Sequence, residues 1–157
     1  MKKPPEPMQT IGYLEMVSFP EWQIEGILAK SDTGARSSAI DVRNVEELEG
    51  GRVRFEMVIR REEPEVSRWV EATVVRRTSI KSSFGRSKDR LMVRTTVRVG
   101  DVEKVVELGL VSRKNMTCRM LLGRTTLRRS FLVNSGKTFM LGGRPAPKPR
   151  KKKEPSL

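Results

Sequence analysis

From Arg52 to Arg60 the chain alternates with a period of two. Val53, Phe55, Met57 and Ile59 fall on one side, with Arg52, Arg54, Glu56 and Arg60 mostly on the other. Successive side chains of an extended strand point to opposite faces, so this segment predicts a half-buried strand. The Gly50-Gly51 pair before it predicts a turn. The same alternation returns in Val93, Thr95, Val97 and Val99, followed by Gly100-Asp101 and a returning strand from Val102, which predicts a hairpin over 90–110. Further strands are expected at 15–19, ended by Pro20, at 24–31, and at 68–77 after a loop at Glu63-Pro64. A short buried strand is expected at 119–123, then one or two helical turns in 124–130. Two short strands about a Ser135-Gly136 turn close the pattern. No segment of any length carries the helical period. The expectation is a mainly β, mostly antiparallel domain with one short helix, a barrel or a sandwich.

The chain has 157 residues, enough for one domain with a real core. The body is expected over 11–142, between a disordered N-terminus at 1–10 and a disordered tail at 143–157. That tail is Pro-rich and like-charged. The net charge is +13, of which the tail carries +5 and the first ten residues +1, leaving +7 on the body. Such an excess steers anionic partners toward the surface, and the tail could touch nucleic acid or ribosomes without sequence preference. No apolar run approaches the ~20 residues of a membrane helix. The N-terminus lacks the apolar part of a signal peptide, and no membrane partner is expected, so the cytoplasm is the simplest address.

The chain has no histidine and a single cysteine, Cys118. This removes Ser-His-Asp and Cys-His nucleophiles, HExxH zinc sites, Cys-rich zinc sites and an internal disulfide. No cofactor and no metal is expected. Acid–base chemistry near neutral pH is left to carboxylates, lysines, the lone tyrosine or the thiol.

Against that background "AKSDTGARSSAI" (29–40) stands out. Asp32 follows an apolar, strand-like approach and precedes Thr33 and Gly34. A glycine there lets the backbone turn tightly, so that its amide and the threonine hydroxyl are candidates to hold the aspartate oxygens. Two such carboxylates about 3 Å apart share one proton, so one can activate water while the other polarises a carbonyl. Alone, the tripeptide is also an ordinary turn. Far downstream lies "MLLGRTTL" (120–127), two large apolar residues, a glycine and a helix start.

Together these segments resemble the paired signatures of retropepsin-like aspartic proteases. "RTSIKSSFGRSKDRLMVRTTV" (77–97) and "NMTCRMLLGRTTL" (115–127) bring the resemblance closer to the RimK-associated, or "ATP-dependent zinc", protease family, over nearly all of 11–142. The resemblance implies a retropepsin-like acid-protease barrel with Asp32, Thr33 and Gly34 in the catalytic loop. It also implies a flap at 79–90 and substrate contacts from Ala35, Arg36, Lys81, Ser82, Ser83 and Gly85. The zinc and ATP of the family's name find no support in the residues: no histidine and no GxxxxGK[ST] loop.

The other aspartates, Asp41, Asp89 and Asp101, lack a following Ser/Thr-Gly, and "NSG" at 134–136 has no acid. The favoured reading is therefore a homodimer with one Asp32 from each chain. Lys30, Arg36, Lys81, Arg86 and Lys88 lie close to Asp32 or on the flap. With the family's association with glutamate ligases, they make acidic or glutamate-extended peptides the candidate substrates. The alternative is a noncatalytic module that binds nucleic acid or ribosomes through its basic surface and tail. Only 5% of residues are aromatic, which leaves base stacking poorly supplied.

Overall fold

The alternation at 52–60 is carried into packing. In the computed structural model, which describes residues 7–60, 65–81, 85, 87–112 and 117–142, Val53, Phe55 and Met57 are fully buried. Ile59 is half-buried and packs against the same core, and Val58 beside it is fully buried as well. The pairing with the next strand shifts register between Val58 and Arg60, so the regular ladder ends there.

The elements in chain order are β1 (Gln9–Phe19), β2 (Ile24–Ser31), β3 (Ser38–Glu47), β4 (Arg52–Arg60) and β5 (Val66–Lys81). They continue with β6 (Ser87–Val99), β7 (Val102–Val111), β8 (Met120–Leu122), α1 (Arg124–Leu127) and β9 (Phe131–Thr138). Among the described residues the chain is thus mainly β, with one short α-helix and two 3-10 turns, Pro20–Trp22 and Glu49–Gly51. The nine strands join in the order β4-β5-β6-β7-β3-β8-β2-β1-β9. Added pairings of β4 with β3 and β6 with β1 bend this order back on itself into linked rings, in place of the plain barrel the resemblance implied. Antiparallel pairs predominate; β1–β9, β2–β8 and β3–β7 are parallel.

The core runs along the inner faces of these strands, from Ile11 and Val17 through Ile27, Ile40 and Phe55 to Leu108 and Leu122. Phe19 stacks on Trp22 at 5.2 Å, and Trp22 meets Phe55 edge-on at 5.7 Å. On the outer side of β3 and β4, Arg43 pairs with Glu56 at 2.8 Å. The guanidinium, helped by the Ser67 hydroxyl, holds the Glu56 carboxyl at about 2, well below the usual carboxylate range.

Four expectations are corrected. β1 begins at Gln9, inside the segment expected to be disordered, because Gln9 pairs with Phe131 at the start of β9. β3 was not expected as a strand at all. Ser38 to Val42 are buried in an unbroken run, so no alternation marks them. Ser135-Gly136 is not a turn between two strands. β9 continues through it, with a shift from the pair Gly12–Asn134 to Leu14–Thr138 and a Gly136 N–H bond to Asn134 Oδ1 of 3.0 Å. Finally, most of the expected 79–90 loop is strand: Ser79 pairs with Asp89 and Lys81 with Ser87. The loop at Glu63-Pro64, residues Ser82, Ser83 and Arg86, and the basic tail lie outside the described residues.

Candidate active site

Buried Ile24, Ile27 and Ala29 fix β2 against the core, and this fixes where its C-terminal end delivers Asp32. β8 is inserted beside it, parallel to β2 (Ala29–Met120 to Ser31–Leu122) and antiparallel to β3 (Ala39–Leu121, Ile40–Met120). The Asp32 N–H extends this ladder by donating to Leu122 O at 2.8 Å. Just before Asp32, the Ser31 hydroxyl donates to Gly12 O at 3.2 Å.

The chain then turns back on itself. Ala35 N–H donates to Asp32 O at 3.2 Å, and Gly34 N–H donates to Asp32 Oδ1 at 2.9 Å. A Cβ on Gly34 would stand 3.2 Å from that same oxygen, closer than ordinary contact. The expected amide contact is therefore present. Thr33, by contrast, is exposed, and its hydroxyl makes no hydrogen bond among the described residues. Asp32 and Ala35 are half-buried, while Gly34 and Arg36 are exposed.

The loop is clamped from the α1 side. Arg124 N–H donates to Ala35 O at 2.8 Å and Thr125 N–H to Arg36 O at 3.0 Å. The Arg124 guanidinium donates through Nη1 to Thr33 O at 3.2 Å and Gly34 O at 3.0 Å. Beneath, Gly123 passes so close to Ser37 that a Cβ would lie 2.4 Å from the Ser37 carbonyl carbon. The buried Ser38 hydroxyl accepts the Gly123 N–H at 3.0 Å and bonds the Thr126 hydroxyl at 2.6 Å. Arg124 and Thr126 were not singled out from sequence. The Gly123-Arg124 junction was the available signal for the first. The Ser38–Thr126 pair spans 88 residues and carries no local mark.

The remaining aspartates have other surroundings. Asp41, on β3, is fully buried and accepts a hydrogen bond from the buried Arg119 guanidinium. Their backbones are tied as well, Asp41 N–H to Arg119 O at 2.8 Å and Arg119 N–H to Leu28 O at 3.1 Å. A buried pair of this kind is costly to break from one side, by about 3–5 kcal/mol. Asp89 lies on β6 and Asp101 in the β6–β7 turn. Of the expected flap contacts, Lys81 closes β5, and Gly85 is exposed with a φ of 75°, a left-handed conformation that suits glycine. A cleft of about 710 Å³ lies between β3, β7 and the outer half of the β5–β6 hairpin, lined by Val42, Val45, Arg77, Leu91, Leu110 and others. It does not include the Asp32 loop.

Among the described residues no three His, Cys, Asp or Glu side chains gather as a metal site, and the chain has no histidine. The donor set does not fit the zinc centre that the resembled family's name implies.

A β-rich chain whose Asp-Thr-Gly loop is crossed by an apolar-apolar-glycine strand and then a single helical turn falls in the retropepsin-like class. The sequence matches the RimB-like family, described as "Retropepsin-like aspartic endopeptidase RimB", over residues 10–142, and the chain belongs to that family. It is also similar to proteins named "Probable alpha-L-glutamate ligase". That of Shewanella pealeana is 36% identical over 135 residues, covering 84% of this chain and 30% of that protein. That of Desulfotalea psychrophila is 31% identical, covering 84% of this chain and 29% of that protein. The chain thus spans about 30% of the length of the curated relatives it matches. A solved Legionella pneumophila protein of unknown function has the same fold, with a TM-score of 0.72 at 23% identity over 85% of this chain and 98% of that one.

Proposed function

We propose that the chain is an aspartic endopeptidase that works as a homodimer, with Asp32 of each copy meeting across a two-fold axis. The observation that carries this reading is the loop itself. One carboxylate per chain is oriented by the Gly34 amide at 2.9 Å, half-exposed, on backbone fixed by Leu122 and Arg124. Two such carboxylates brought together hold one proton between them. The ionised one takes a proton from water as that water attacks the peptide carbonyl, and the protonated one donates to the carbonyl oxygen. The resulting tetrahedral species collapses when a proton reaches the leaving nitrogen. The Gly34 amide keeps its acceptor oriented through these steps, so little reorganisation is needed.

Acidic, glutamate-extended peptides are the substrates this reading favours. The body carries +7, Lys30 and Arg36 are exposed beside Asp32, and the relatives bear the name of glutamate ligases. The test is Asp32→Asn, with peptide cleavage and sedimentation measured together. Cleavage is expected to fall by at least about 10³-fold while the oligomeric state stays unchanged. Full activity in the variant would end the assignment.

A further inference from the structure

The turn after β8 carries more positive charge than the fold neutralises. Arg124, Arg128 and Arg129 lie within six residues, and the Arg36 backbone packs against them through the Thr125 N–H bond of 3.0 Å. Lys104 reaches in from β7, its Nζ donating to Thr126 O at 2.9 Å and Arg128 O at 3.1 Å. Several arginines elsewhere are matched by acids, as in Arg43–Glu56, Arg76–Glu107 and Arg98–Glu103, while Arg54 lies over the Trp69 ring and Arg68 donates to Gln23 O. Here, among the described residues, none of the five cations has a carboxylate partner. Arg124 and Lys104 are occupied with carbonyl oxygens, and Arg36, Arg128 and Arg129 are exposed. Arg129 holds a φ of 67°, a strained backbone for arginine. Burial lowers the Lys104 pKa, and the charge of Arg129 lowers it further. The two cations therefore repel, and neither has a salt bridge among the described residues.

We infer that this basic shelf, Arg36, Arg128 and Arg129 around Arg124 and Lys104, receives the carboxylate side chains of an acidic peptide on the α1 side of the Asp32 loop. The inference rests on the peptidase reading above and gives it a location. Acid recognition sits at the C-terminal end of α1, beside the loop that the Arg124 guanidinium already touches. Guanidinium forks match carboxylates bidentately, and alternate side chains of an extended peptide stand ~7 Å apart on one face, so one strand can present several acids to neighbouring arginines. Residues 33–37 and 124–129 contain no aromatic side chain, so the shelf offers no stacking platform for bases.

The test uses the full chain with Asp32→Asn, so that binding is read without turnover. A fluorescein-labelled glutamate-rich peptide and its glutamine counterpart are titrated by anisotropy at low and physiological salt. The glutamate peptide is expected to bind about tenfold more tightly, with an advantage that shrinks as salt rises. Arg128→Gln with Arg129→Gln should abolish most of that advantage, Arg36→Gln should reduce it, and the corresponding lysine variants should retain it. Unchanged affinity for the glutamate peptide in both glutamine variants would overturn the shelf. So would a single-stranded RNA of equal length that binds more tightly than the peptide and loses that binding in the same variants. Cleavage by the unmodified chain is measured in parallel. Absence of cleavage would overturn the peptidase reading, while the binding comparison still judges the shelf.

Discussion

Asp32 owes its orientation to its neighbour two residues on. The Gly34 amide donates to Oδ1 at 2.9 Å, and the missing side chain of Gly34 leaves that oxygen where it is. A methyl group there would stand 3.2 Å from Oδ1 and would push the carboxylate by a few tenths of an ångström. Catalytic groups lose roughly 10²-fold when misplaced by ~1 Å. Gly34→Ala is therefore expected to lower kcat about tenfold while KM and the melting temperature change little, as measured by steady-state kinetics beside thermal unfolding. At this scale the sequence was informative about Asp32 and Gly34, because a turn and its acid are local features. It gave no guide to Thr33, which is exposed and whose hydroxyl makes no hydrogen bond among the described residues. It was silent about Asp41, whose burial against Arg119 depends on residues 78 apart.

At the scale of elements, the site depends on β8 entering between β2 and β3. That entry is possible because Gly123 presents only hydrogen to the Ser37 backbone. Gly123→Ala places a carbon 2.4 Å from the Ser37 carbonyl carbon, and the obstruction is main chain that has no rotamer to change. Overpacking costs about 1–3 kcal/mol in ordinary cores. This variant is expected at the upper end or beyond, about 3 kcal/mol, read as a lower denaturant midpoint with an unchanged slope. The "LLG" signal was legible because the glycine interrupts an apolar run. β4, β6 and β7 were legible because one face of each is wet or half-wet and the period of two survives. β3 was not, since Ser38 to Val42 are buried on both faces and show no period. The bulge in β9 read as a turn because Asn134 offers its own side chain to Gly136, which is local turn chemistry placed inside a strand.

For the whole molecule, the mainly β class followed from the strand periods. The closing of the sheet through β3–β4 and β6–β1 did not: the first pairing was hidden because β3 carries no period, and the second joins strands distant in sequence. The molecule holds four aspartates, and only Asp32 sits in an Asp-Thr-Gly loop. The cleft beside the β5–β6 hairpin does not include Asp32. On the proposed reading, the second carboxylate is the Asp32 of another copy, delivered across an isologous interface that brings the two loops together. Mixing wild-type chains with Asp32→Asn chains, unfolded and refolded together at varied ratios, tests this most directly. If each site needs Asp32 from both chains, peptide cleavage falls as the square of the wild-type fraction. An equal mixture then keeps about one quarter of full activity, as random pairing of two copies dictates. Activity that falls in simple proportion, to about one half in the equal mixture, would contradict a shared site.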